Sequence, residues 1–119
     1  MDLRIAPPRE IRATWLLTAE GEIDIASAPL LREQLLTTLG LEPPRPVVLD
    51  MTAVTFIDST GLGALIEAHR QATAAGRHLR VVAPHRAVRR ILQLTRLDAL
   101  LDIHSDLHTA LAALQTFPD

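Results

Sequence analysis

Two kinds of apolar spacing alternate along this chain. Val47-Val48-Leu49 is a short unbroken apolar run ended by Asp50, the pattern of a strand covered on both faces. Thr14 to Ala19, which holds Trp15, Leu16 and Leu17, and Leu79 to Ala83, rich in Val and stopped by Pro84, read as two further strands. Leu3 to Ala6 adds an edge strand broken by Pro7-Pro8, with a hairpin leading into the Thr14 run. Elsewhere the period becomes helical. Leu31, Leu35 and Leu39 recur every four residues, with Pro29 tolerated in the first turn and Gly40 as a stop. Leu62, Leu65, Ile66 and His69 fall at i, i+3, i+4 and i+7 of a helix that ends near Gly76. Val88, Ile91 and Leu92 mark a third helix, and Leu107, Ala110, Leu111 and Leu114 a last one, capped by Ser105 or Asp106. Pro43-Pro44 and Pro46 make a stiff connector, because a proline series cannot join a central ladder.

Strands alternating with helices predict an α/β fold. Because the first two strands lie close in sequence, the sheet should be mixed, with about four to five strands and about four helices mainly covering one face.

Composition narrows the function classes. With 119 residues, 48% of them hydrophobic, the chain reads as a single domain over 1–119 with material for one core. It has no Cys, which excludes a disulfide framework and thiolate metal sites and suits a reducing cytoplasm. No basic-then-apolar leader opens the sequence, and no run approaches the roughly 18 apolar residues of a membrane span, so the expected location is the cytoplasm, away from membranes. Net charge is −2 and only 3% of residues are aromatic, which argues against direct nucleic-acid binding. All 12 basic residues are Arg. Without Lys there is no Schiff base, no P-loop lysine and no lysine partner for a receiver-type aspartate, so the chain is read as a binding module and not an enzyme, with no cofactor.

The chemistry concentrates in Asp58-Ser59-Thr60-Gly61-Leu62-Gly63, the junction between a strand and the longest helix. Ser59 or Asp58 supplies a helix cap by accepting the free N–H groups of the first turn. The glycines exceed that need: each costs roughly 1 kcal/mol relative to Ala inside a helix, so two in one turn mean close approach to the backbone or unusual dihedrals. A phosphate on Ser59 would lie against the first-turn N–H groups and the positive end of the helix dipole. On these grounds alone a plain cap and a modification site both remain open.

Gly21-Glu22-Ile23-Asp24, Val47-Val48-Leu49-Asp50 and the run from Val54 through Gly63 together resemble the anti-sigma factor antagonists of the STAS domain family, over nearly the whole chain. The resemblance implies the STAS fold and a serine phosphorylated by an anti-sigma factor that is itself a kinase; the matching residue is Ser59. Thr60 takes the second hydroxyl position. Asp24 matches a loop beside the phosphorylated helix start, which makes Asp24, Asp58, Ser59, Thr60, Gly61 and Leu62 the expected partner-binding residues. The implied partners are the anti-sigma factor serine kinase and a serine phosphatase. The alternative is a STAS module that is not phosphorylated and serves as a scaffold or as a subunit of a larger stress-signalling or lipid-transport assembly.

Other polar groups have plainer readings. His104 and His108 with Asp102 and Asp106 resemble a metal-ligand set, but a cap at Ser105 would put His104 outside the helix and break the i, i+4 geometry. Asp24, Asp50 and Asp58 could form a Mg²⁺ pocket, although Asp50 reads better as a strand end bonded to nearby N–H groups. Arg86, Arg89 and Arg90, with Arg80 and Arg96 nearby, read as a solvated helix face before a partner surface. His85 reads as a helix start and His69 as a packed side chain.

Overall fold

In a computed structural model, residues 2–115 are described, with side chains to residue 112. The strands are β1 (Arg4–Ile5), β2 (Arg9–Ile11), β3 (Thr14–Ile23), β4 (Val47–Ile57), β5 (Leu79–Val82) and β6 (Asp102–His104). The helices are α1 (Ala28–Leu39), α2 (Ser59–Ala74), α3 (Arg86–Leu94), the short α4 (Leu97–Leu100) and α5 (Leu107–Gln115). They form one mixed sheet in the order β1-β3-β4-β5-β6. β1 and β2 both run antiparallel along β3, meeting Glu20 and Ala19 in one case and Leu16, Trp15 and Thr14 in the other. Pro7-Pro8 is the break between them, since proline cannot donate to the ladder. β3 to β6 are mutually parallel.

Each parallel step moves one strand in the same direction across the sheet. A right-handed crossover then places every connecting helix on the same face. The core follows that rule: Leu17, Leu49 and Val81 pack against Leu31 and Leu35 of α1, Leu65 and Ala68 of α2, Val88 and Leu92 of α3 and Leu97 of α4. Only α5 lies opposite, where Ala110 and Leu111 cover Leu16, Val48 and Val82. The expected one-sided covering is therefore right for four of the five helices.

Three departures from the sequence reading have physical causes. β4 does not end at Asp50: its pairing with β5 stops at Asp50 opposite Val82, but its pairing with β3 continues to Ile57 opposite Ile23. The last part of β4 thus projects with β3 beyond β5 and β6, and its exposed Thr52, Ala53, Thr55 and Phe56 carry no apolar run. β3 likewise runs past Ala19, so Gly21, Glu22 and Ile23 are strand and the loop begins at Asp24. Gly21, at φ +112, sits where an added Cβ would lie 2.1 Å from the Asp2 carbonyl oxygen, a position only glycine fits. Finally, β6 is a three-residue strand held by its neighbour, Ile103 opposite Val81 and His104 opposite Val82.

Candidate functional site

The projecting ends of β3 and β4 carry the two segments that meet at the site. The Asp58 N–H donates to the Ile23 carbonyl at 3.1 Å, which ties the start of α2 to the end of β3. Asp24 follows directly. Its Oδ1 accepts from the N–H groups of Ala26 and Ser27, both at 3.0 Å, while the Ser27 hydroxyl accepts from the Asp24 N–H at 2.9 Å. That hydroxyl also donates to the Glu22 carbonyl at 3.1 Å, so the loop is knitted to its own strand. These bonds hold the Asp24 carboxyl below the usual carboxylate range, the Ser27 N–H contributing most, with the nearby Asp58 charge opposing.

Asp58, in extended conformation, is the N-cap of α2. Its Oδ1 accepts from the N–H groups of Thr60 (3.0 Å) and Gly61 (3.1 Å) and from the Thr60 hydroxyl (2.6 Å). The Thr60 hydroxyl, then the Gly61 N–H, pull its pKa down. The two hydroxyls of the motif are therefore unlike. Thr60 is tied to the cap, whereas Ser59, the first helical residue, is exposed and no side-chain hydrogen bond among the described residues engages its hydroxyl. Ser59 is not the cap. The first-turn N–H groups expected to receive a phosphate are also largely spent, because Asp58 already holds Thr60 and Gly61.

The two glycines divide in the same way. A Cβ on Gly61 would meet Ile23 Cγ2 and Ile57 Cγ1, each at 2.6 Å, so this glycine lets α2 close onto the strand ends. A Cβ on Gly63 would meet nothing within 4 Å. Leu62, 8% exposed, belongs to the core with Gly61's neighbours, so both residues support the site from below and do not face outward. Beside the exposed turn lies a hollow of about 460 Å³ between α1 and α2, bordered by Ile25, Ala28, Pro29, Thr60, Gly63 and Ala64. Arg32 closes its end through a two-pronged ion pair with Glu67. Ile25, 75% exposed, is the large apolar side chain that borders this hollow. An exposed apolar side chain beside a hollow at a strand-helix junction marks a candidate contact surface.

A sequence profile of the STAS domain matches residues 7–110. The chain belongs to the STAS domain family. Among curated relatives, it is 31% identical over 100 residues to the anti-sigma-F factor antagonist RsfB of Mycobacterium tuberculosis, covering 84% of this chain and 80% of the relative. It is 31% identical over 83 residues to the anti-sigma-B factor antagonist of Bacillus subtilis, covering 70% and 74%. Among solved structures, an anti-sigma factor antagonist from Mycobacterium paratuberculosis superposes with a TM-score of 0.84 at 26% identity, over 96% of this chain and 95% of that one. These relatives are regulatory binding proteins and not enzymes.

In this STAS domain the other predicted polar sets come apart. Asp50 accepts from Thr52 instead of joining Asp24 and Asp58, and lies many strand positions from them along β4. Asp106 caps α5 by accepting from the Thr109 N–H at 2.7 Å, while His104 sits on β6. No group of three or more metal-ligating side chains occurs among the described residues. Arg80 is corrected most: it lies on β5, 7% exposed under the α5 face, paired with Asp102, which also holds His104 at 2.9 Å. It cannot serve a surface patch. His85 caps α3 through a bond from the Ala87 N–H at 3.3 Å, as read from sequence. No helix is long and apolar enough to cross a membrane among the described residues. Ile25 was missed by motif reasoning. Ile25 carried a signal, being a large apolar residue in a turn whose neighbours Asp24 and Ser27 are turn formers.

Proposed function

We propose that this STAS domain is an anti-sigma factor antagonist whose docking surface is switched by phosphorylation of Ser59. Unmodified, it binds an anti-sigma factor serine kinase through Ser59, Thr60, Asp24 and the apolar groups around them, and the sigma factor is released. The observation that carries this reading is the exposed, unengaged hydroxyl at the first position of α2, with capping left to Asp58. The sequence likeness to the two antagonists supports the partner class.

In the transfer, the Ser59 oxygen attacks the γ-phosphorus of ATP held by the kinase. The P–O bond to ADP breaks, and the hydroxyl proton passes to a base on the kinase. The product adds about −1.5 to −2 charges beside Asp58 and Asp24. Arg32 is held by Glu67, and the Thr60 and Gly61 N–H groups by Asp58, so little inside the domain neutralises the new charge. The docked surface becomes acidic and crowded, and the complex separates while the core is untouched. A serine phosphatase resets the switch.

The test is to incubate the protein with the purified serine kinase anti-sigma factors of its organism and ATP, then map the modified residue by mass spectrometry. Phosphate on Ser59, lost in Ser59→Ala and kept in Thr60→Ala, is the expected result. Modification confined to another residue contradicts the assignment.

A further inference from the structure

Gly63 has no visible purpose in the fold. Its φ lies outside the left-handed range, unlike those of Gly21 and Gly76, and a side chain there would enter open space. Glycine is nevertheless among the poorest helix formers, so a purely structural position in the first turns of α2 would favour alanine. Gly61, two residues earlier, has the packing reason that Gly63 lacks.

Position matters here. Ser59 and Gly63 stand at i and i+4, neighbours on one helix face. Phosphoryl transfer requires the attacking oxygen and the phosphorus to approach within roughly 3 to 3.5 Å, so whatever enzyme modifies Ser59 must also cover the next turn. Gly63 opens onto the hollow walled by Ile25, Ala28, Pro29 and Ala64. The charged groups at its closed end, Arg32 and Glu67, are satisfied by each other, which leaves an apolar recess continuous with the Ser59 surface.

We infer that Gly63 is a clearance position of the kinase interface: its bare backbone admits an aliphatic side chain of the anti-sigma factor kinase into the recess beside Ser59. The inference rests on the reading of that surface as the kinase-docking face. Gly63 determines which partner fits, and the domain gives up some helix stability to keep the space free.

The experiment is a size series, Gly63→Ala and Gly63→Leu in the full chain, melted alone and titrated by calorimetry against the purified kinase that modifies the wild type. Gly63→Ala should melt at the same or a higher temperature and bind about tenfold more weakly, and Gly63→Leu should bind at least about a hundredfold more weakly with an unchanged melt. Opposite movement of stability and affinity distinguishes clearance from a structural role. Affinity within twofold of wild type for both variants, tighter binding, or affinity and melting temperature falling together overturns the inference and leaves the docking reading standing. A wild type that none of the purified kinases binds or modifies overturns both.

Discussion

Two strand-to-helix junctions of this molecule share a construction and differ in chemistry. β4 leads into α2 and β5 into α3, each through an extended cap residue whose side chain accepts a backbone N–H, Asp58 in one case and His85 in the other. At α3 the following residues are Arg86, Arg89 and Arg90, none of them in an ion pair among the described residues, an environment that would neutralise an anion. At α2 the neighbours are Asp58 and Asp24, and the nearest arginine across the groove is spoken for by Glu67. If tight self-binding of a phosphate were the purpose, the hydroxyl would sit at α3. A phosphate at α2 would stay unneutralised and face outward, which is what the proposed switch acting on a partner needs. Helix-end geometry alone does not choose between the junctions; side-chain charge and exposure do.

Moving charge between the two junctions should have the largest effect. Ser59→Glu should weaken kinase binding by about a hundredfold, equivalent to about 2.8 kcal/mol, whereas Ala87→Glu, an acid in the exposed first turn of α3, should leave it within twofold. Equal losses from both would mean that net charge and not location controls docking. Next in size is Gly61→Ala, which forces a methyl into the stiff, buried Ile23 and Ile57 side chains and should destabilise the domain by about 1–3 kcal/mol in denaturant titrations. A neutral result would remove the packing reason for that glycine.

The caps give the smallest effects. Asp58→Ala removes three accepted hydrogen bonds and should lower the melting temperature by about 5 °C, and His85→Ala, with one long bond, by less. The sign of the pH dependence follows from Asp58. Its folded pKa is below the ordinary 3.8, so its contribution is present above that value and disappears as pH falls through the folded value. Wild-type melting temperature should therefore drop more steeply than that of Asp58→Ala on acidification below about pH 4.

Much of the architecture was legible because it is periodic. The apolar runs at Thr14, Val47 and Leu79 and the helical stripes at Leu31, Leu62, Val88 and Leu107 each became an element. What was not legible has no period of its own. β6 reads Asp-Ile-His and is a strand because β5 offers it an edge; α4 is a single turn pinned by Leu97; the second half of β4 alternates poorly because β3 alone flanks it. The site divides likewise. Asp58 and Ser59 were visible as cap and hydroxyl, but which of them capped depended on geometry. Gly61 and Gly63 look alike on the line of sequence, and only the distances to Ile23 and Ile57 separate them. Arg80 looked like part of a surface cluster until the strand register carried it beneath α5.

The proposed switch needs the free hydroxyl at the mouth of α2 to carry a phosphate that alters docking without altering the fold. Its most direct test titrates the kinase with singly phosphorylated and unmodified protein, each melted in parallel. About a hundredfold lower affinity is expected for the phosphorylated form, with melting temperatures within a few degrees of each other. Equal affinities, or a melting temperature that collapses on phosphorylation, would contradict it.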